Sequence, residues 1–319
     1  MAVYTHVDAP ALANFLSGYS VGQPLAFKGI AEGIENSNYF LQTEKGRFIL
    51  TLYERRASVE DLPFFLDLMS HLASHGLPCP LPVKCDKGLY LQTLAGKNAC
   101  LITFLNGVSS DFPTPIHCGE VGDALAKMHV AGEDYDATRE NDLTLDGWRA
   151  LATEIGDRAD EIEEGLADLI DGELTYLEAN WPKDLPTGLI HGDLFPDNVL
   201  FTDDTLTGLI DFYFACTDFL AYDIAVMINA WGFDENHDFS AAHTKALVER
   251  YDGRRSLEPA EIAALPTLCR GAALRFLLTR SYDWLNQVEG AVVRVKDPKE
   301  YIKRLKFHRS VEDAADYVF

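Results

Sequence analysis

The sequence predicts an α+β protein in two lobes, a small one built on an antiparallel sheet and a larger, mainly helical one. Three observations carry this prediction. The chain has 319 residues, more than one compact core usually holds. Its first hundred residues alternate short strand patterns with helix, and after LNGVSSDFPT (105–114) the texture changes to long helical periods. Only 188–212 interrupts that helical half with strand-like residues. The predicted boundary therefore divides the chain into 1–104 and 105–319.

In the smaller lobe, NSNYFLQT (36–43), the turn EKG and RFILTLYE (47–54) read as a hairpin. Phe48, Leu50 and Leu52 fall on one face of the second strand and Ile49, Thr51 and Tyr53 on the other, the period of two that a strand requires. A helix follows, with Ser58 placed to cap it, Leu62, Phe65, Leu66, Met69 and Leu72 as its apolar stripe, and Gly76 to end it. LPCPLPV is a stiff extended connection, and LYLQTL, AGK and NACLITF form a second hairpin ending near Phe104. Thr114 and Pro115 then open a helix carrying Val121, Leu125 and Met128. Further helical patterns cover 146–181, 220–233, 240–251 and 259–287.

Composition narrows the function. Hydrophobic residues make up 47% of the chain and charged ones 24%, the profile of a globular protein. No run approaches eighteen uninterrupted apolar residues, and MAVYTHVDAPALANFL lacks the basic cluster and apolar run of a signal peptide. The expectation is a cytoplasmic protein with no membrane partner. Acidic residues outnumber basic ones 50 to 27, which repels a phosphate backbone, so no nucleic-acid partner is expected. The densest acid, 154–173, interleaves with Ile155, Ile162, Leu166 and Leu169 and reads as a solvated helix face. Six cysteines, at 79, 85, 100, 118, 216 and 269, stand singly; they read as buried reduced thiols rather than disulfides or a zinc site.

Several motifs fail. GYSVG (18–22) has the letters of a serine-hydrolase elbow, but a helix precedes it and Pro24 follows, where a strand and a helix are needed. Neither G-x-x-x-x-G-K-[ST], G-x-G-x-x-G nor H-E-x-x-H occurs. What survives is IHGDLFPDNVLF (190–201) with GLIDF (208–212) behind it. Read as a hairpin, with GLIHGD entering, NVLF leaving, TDDTLT turning and GLIDF returning, it would gather Asp193, Asn198 and Asp211 at one end of a ribbon. Phosphoryl transfer needs such a set: one carboxylate to accept or orient the attacking hydroxyl, and a carboxylate with an amide oxygen to hold magnesium on nucleotide phosphates. Aspartate and asparagine are common in turns for local reasons. His-Gly-Asp between apolar strands, with Asp211 thirteen residues after Asn198, points beyond that to catalysis.

HGDLFPDN, GLIDF and then YDIAV resemble the aminoglycoside phosphotransferase and choline kinase family, which has a two-lobed protein-kinase-like fold. More narrowly, IENSNYFLQTEKGRFILTLYE, EDLPFFLDLMSHLASHGLPCP and GLIDFYFACTDFLAYDIAVMINAW look like the homoserine kinases built on that fold. The resemblance spans nearly the whole chain and implies ATP and Mg2+ as cofactors. It implies an ATP-dependent kinase for the side-chain hydroxyl of L-homoserine, in threonine biosynthesis. Choline, ethanolamine or aminoglycoside kinases are the alternatives within the fold, and a non-catalytic nucleotide-binding module the alternative outside it. Asp193 would be the catalytic base, Asn198 and Asp211 the magnesium ligands, His191 an organiser of the loop backbone, and Asp223 the buried aspartate that bonds the loop amides. Residues 1–104 would bind nucleotide: KGIAEGIENSN, with Gly33, Asn36, Ser37 and Asn38, would cover the phosphates, and backbone near Thr103 to Leu105 would bond adenine.

One departure stands out. Most of this fold carries a lysine for the α and β phosphates at the position of Thr51, and threonine supplies no charge. Lys28, Arg47, Arg55 and Arg56 are the candidate replacements. Homoserine brings an ammonium and a carboxylate, so its pocket needs a cation. Arg270, Arg275 and Arg280 are candidates, with Tyr213, Asn229 and Trp231 for the pocket wall.

Overall fold

The computed structural model describes residues 4–30, 36–54, 58–287 and 295–317; Gly33, Arg55 and Arg56 lie outside them. The chain divides into two units, one ending at Asn106 but joined by Gly208–Tyr213, the other holding Gly107–Thr207, Phe214–Gln287 and the residues from Val295. A boundary read along the sequence misses that return, which is tied down where the Leu209 amide donates to the Pro78 carbonyl at 2.7 Å.

The first unit runs α1 (Ala9–Leu16), β1 (Pro24–Gly29), β2 (Asn36–Thr43), β3 (Gly46–Tyr53), α2 (Leu62–Ser74), β4 (Pro82–Val83), β5 (Gln92–Leu94) and β6 (Lys97–Thr103). The strands form an antiparallel sheet in the order β1-β2-β3-β6-β4, with β5 also on β6. Leu41, Leu50 and Leu101 lie fully buried with Phe15, Leu16 and Tyr19 in its core. The hairpin has the expected register, Thr43 opposite Gly46 and Asn38 opposite Thr51. The cap of α2 differs from expectation. Ser58 turns its hydroxyl to the Glu60 carboxylate, and the Asp61 side chain at the N-cap does not cap the helix. Pro63, pre-set for a first turn, opens the helix instead.

The second unit contains α3 (Pro115–Ala131), α4 (Leu145–Ile155), α5 (Leu166–Asn180), β7 (Thr187–Ile190), β8 (Val199–Thr202), β9 (Thr205–Leu209), β10 (Cys216–Phe219), α6 (Leu220–Trp231), α7 (Ala241–Asp252), α8 (Pro259–Leu285) and α9 (Lys299–Ser310), with β9 running on into the first unit. Thr114 caps α3 as expected, in a reciprocal box with His117. The pattern 146–181 splits into two helices, because Gly156 takes a positive φ of 53° and ends α4. α9 was not foreseen. KEYIKRLKFHRS is highly charged, yet it buries Tyr301, Ile302, Leu305 and His308 against α8. α8 has the length and hydropathy to cross a membrane, but 61% of its apolar window is buried in the protein. All six cysteines are buried thiols.

The strand-like stretch is not one hairpin. β7 pairs with β10, Ile190 opposite Cys216 and Thr187 opposite Phe219, whereas β8 pairs with β9. The HGD loop is thus the link between two ribbons. CTDF was too short to announce β10 by periodicity.

α3 packs closely on α7 through Gly122, where a Cβ would stand 2.2 Å from the Leu247 carbonyl oxygen. We expect Gly122→Ala to cost about 1–3 kcal/mol by forcing the helices apart, measured as a lower urea midpoint at unchanged slope.

Candidate active site

The loop after β7 is held from beneath by Asp223, in the first turn of α6. Its Oδ2 accepts the His191 amide at 2.7 Å and its Oδ1 the Gly192 amide at 2.9 Å. Both amides point one way because Gly192 adopts a φ of +73°, and a Cβ there would press within 3.1 Å of the Phe214 carbonyl oxygen. Asp223 is fully buried. Burial alone would raise its carboxyl, but the hydrogen bond from His129, and then the His191 ring and amide beside it, hold it below the ordinary value. The Asp223 contribution to stability is therefore present above the unfolded carboxyl pKa and is lost as pH falls through the folded one.

His129, on α3, places Nε2 at 3.2 Å from Asp223 Oδ2 and Nδ1 at 2.7 Å from the Tyr251 hydroxyl. Arg255 can only donate, and its Nη1 lies 3.1 Å from that hydroxyl, so Tyr251 gives its own proton to His129 Nδ1. His129 then presents Nε2–H to Asp223. A part-buried ion pair, Arg255 to Glu261 at 3.0 Å, anchors the far end. The loop is gripped from above as well. Trp231 Nε1 donates to the Leu194 carbonyl at 2.8 Å, and Arg275 Nη1 to the Gly192 carbonyl.

Within this frame the Asp193 amide donates to His191 Nδ1 at 3.3 Å. Asn198 Nδ2 donates to the Asp193 carbonyl at 2.8 Å and to its Oδ2 at 3.2 Å. These bonds fix the Asn198 amide so that its nitrogen faces Asp193 and its oxygen is left to accept or to ligate. Asp211, in the first unit, is exposed at a φ of +64° just after β9. Asp197, without a role in the sequence reading, pairs with Lys296 at 2.7 Å on the surface, an exposed pair of little energetic weight.

Other expected contacts have different uses. Asn229 is fully buried: Nδ2 donates to Ala225 and Cys269 carbonyls, both at 3.0 Å, and Oδ1 faces His308 Nε2 at 3.2 Å. Its amide is thereby committed to the scaffold, and Trp231, with its indole nitrogen on Leu194, supports the loop rather than lining a pocket. Arg270 is bidentate to Glu173 and Arg280 bonds Glu300 at 2.7 Å, so both are neutralised in place; Arg275 is not. Tyr213 bonds the Tyr53 hydroxyl at 2.9 Å and packs edge-on against Phe65. Ser37 is no phosphate contact by its side chain, since its buried hydroxyl donates to Glu54 at 2.6 Å and accepts the Tyr4 and Thr5 amides. Asn36 and Asn38 begin β2, and Asn38 Oδ1 accepts the Thr51 hydroxyl at 2.8 Å. Thr103 and Phe104 spend their amides on the Leu81 and Arg47 carbonyls. Arg47 itself holds Asn106, which leaves Lys28, exposed on β1, as the described candidate for the missing cation.

His308 titrates in a useful range. Burial first, then the charges of Arg304 and Arg270, push it down to about 3 from 6.5. Its neutral form donates from Nε2 to Asn229 and accepts at Nδ1 from the Tyr317 hydroxyl at 2.6 Å. The unfolded chain takes up a proton that the folded one refuses, so stability falls as pH drops below about 6.5, by about 1.4 kcal/mol per pH unit from this group. Urea unfolding at pH 7 to 5 checks this, with His308→Gln flattening the slope.

The class follows from this loop and fold together. The chain belongs to the phosphotransferase enzyme family, whose profile matches residues 26–259. Its relatives there are homoserine kinases: those of Xanthobacter autotrophicus and Rhodospirillum rubrum are each 55% identical over 317 residues, 99% of both chains. Solved structures share the fold at lower identity. A spectinomycin phosphotransferase with ADP and spectinomycin superposes at a TM-score of 0.69, with 13% identity and 98% of each chain covered. A microcompartment-associated aminopropanol kinase gives 0.62, with 18% identity, 95% of this chain and 94% of the other. The protein is accordingly an ATP-using kinase of the two-lobed α+β fold expected from its sequence.

Proposed function

We propose that the protein is a homoserine kinase, transferring the γ-phosphoryl group of ATP to the side-chain hydroxyl of L-homoserine in the cytoplasm, a step of threonine biosynthesis. The observation that carries this reading is the 55% identity to homoserine kinases along 99% of both chains. Asp193 takes the hydroxyl proton as the oxygen attacks phosphorus. Asn198 steers that carboxylate through Nδ2. Its free amide oxygen suits a hard cation, so Asn198 and Asp211 are the proposed magnesium ligands, and bound magnesium would neutralise charge on the phosphates. Leu105, next to the committed amides of Thr103 and Phe104, is the proposed backbone contact for adenine.

ADP release with magnesium-ATP, measured against homoserine, choline, ethanolamine, methylthioribose and kanamycin, tests the substrate. Homoserine should exceed every other acceptor by at least about 10²-fold in kcat/KM, given its extra charged group. A larger response to choline or ethanolamine would reject the assignment.

A further inference from the structure

The buried and half-buried arginines of the second unit are not equivalent. Arg255, Arg270 and Arg280 each meet a carboxylate, from Glu261, Glu173 and Glu300. Arg304 pairs with none among the described residues, but its Nη1 lies 2.7 Å from the Asn229 carbonyl near the C-terminal end of α6, where the helix dipole is negative. Arg275 has neither compensation. It is 3% exposed, its Nε makes no hydrogen bond, and among the described residues no carboxylate pairs with it. Phe214 and Phe276 flank the guanidinium at 5.6 and 4.6 Å from their ring centres. Its Nη1 donates to the Gly192 carbonyl, in the peptide that leads into Asp193.

A second orphan stands beside it. The Tyr222 hydroxyl, on a residue 1% exposed, also lacks a hydrogen-bond partner. Burial raises this phenol well above its ordinary range while the Arg275 charge opposes the rise, so the two groups are neighbours. A buried guanidinium without a carboxylate is costly; the phenol oxygen beside it can take one of its N–H groups, which leaves the phenol O–H and the Arg275 Nε–H as two donors lacking an acceptor. A carboxylate is the acceptor that matches both in charge and in number.

We infer that Arg275, seconded by Tyr222, anchors the α-carboxylate of the acceptor and so selects an amino acid over an amino alcohol. This rests on the homoserine kinase reading and assigns the carboxylate end of that substrate. In homoserine the carboxylate carbon and the hydroxyl oxygen are four bonds apart, about 5 Å when extended. The anchor's Nη1 bonds the carbonyl of the residue just before the proposed base.

Arg275→Gln, Arg275→Lys and Tyr222→Phe, each checked for folding by circular dichroism, should be assayed with homoserine, with homoserinol (carboxylate replaced by hydroxymethyl) and for the KM of ATP. Arg275→Gln is expected to raise the homoserine KM by about 10²-fold and to lower kcat/KM for homoserine at least about tenfold more than for homoserinol, whose own smaller loss reports the support given to the Gly192 carbonyl, with the ATP KM changed less than about threefold. Tyr222→Phe, which removes one donor and little volume, is expected to raise only the homoserine KM, by about tenfold, and decides the matter if the glutamine variant does not fold. Arg275→Lys, keeping the charge but not the fork, should fall between. Equal losses on both acceptors would reduce Arg275 to a support of the loop and overturn the anchor alone. A wild-type enzyme inactive on homoserine overturns the functional reading, and the anchor with it.

Discussion

Asp193→Asn is expected to lower turnover by about 10³-fold or more while the affinity for magnesium-ATP stays nearly unchanged. The substitution keeps shape and removes the oxygen pair that would take the hydroxyl proton. Asp193 lies in a loop whose backbone is fixed at His191, Gly192 and Leu194 by Asp223, Arg275 and Trp231, so the amide variant has no reason to collapse. Stopped-flow nucleotide binding together with steady-state turnover separates the two effects. Turnover within tenfold of wild type would remove Asp193 as the base.

The second large effect falls on Asp223. Asp223→Ala strips two buried amides of their acceptor and leaves His129 Nε2–H facing a void. Each unsatisfied buried donor costs about 1–3 kcal/mol, and breaking a buried charged cluster costs about 3–5 kcal/mol. We expect a loss of at least about 3 kcal/mol in urea unfolding, and turnover reduced by about 10²-fold or more in the fraction that remains folded. His129→Gln should show a smaller loss of both, because Asp223 keeps its two amides. Wild-type turnover in a folded Asp223→Ala variant would mean that the loop holds its geometry unaided.

What the sequence disclosed follows from how locally each feature is encoded. The β2–β3 hairpin was legible because alternation of period two is written within eight residues, and α3 because Thr114 and Pro115 mark its start. β10 and α9 were not, the first being four residues long and the second too charged for its buried face to stand out. The HGD loop was conspicuous, but its support comes from far away: Asp223 is 32 residues from His191, and His129 is 94 from Asp223. Resemblance pointed to Asp223. Nothing marked His129, the second histidine of α3, which reads like any core residue. The arginines of α8 stood out as a group, yet the pattern could not say that Glu173 and Glu300 would claim two of them and leave Arg275.

The proposed reaction moves phosphate from ATP to the side-chain oxygen of homoserine. Phosphorus NMR of the product mixture tests it most directly. The expected signal is one phosphomonoester coupled to the two terminal methylene protons of homoserine, appearing as ADP forms. Inorganic phosphate as the sole phosphorus product beside ADP, or phosphate on an atom other than that oxygen, would contradict it.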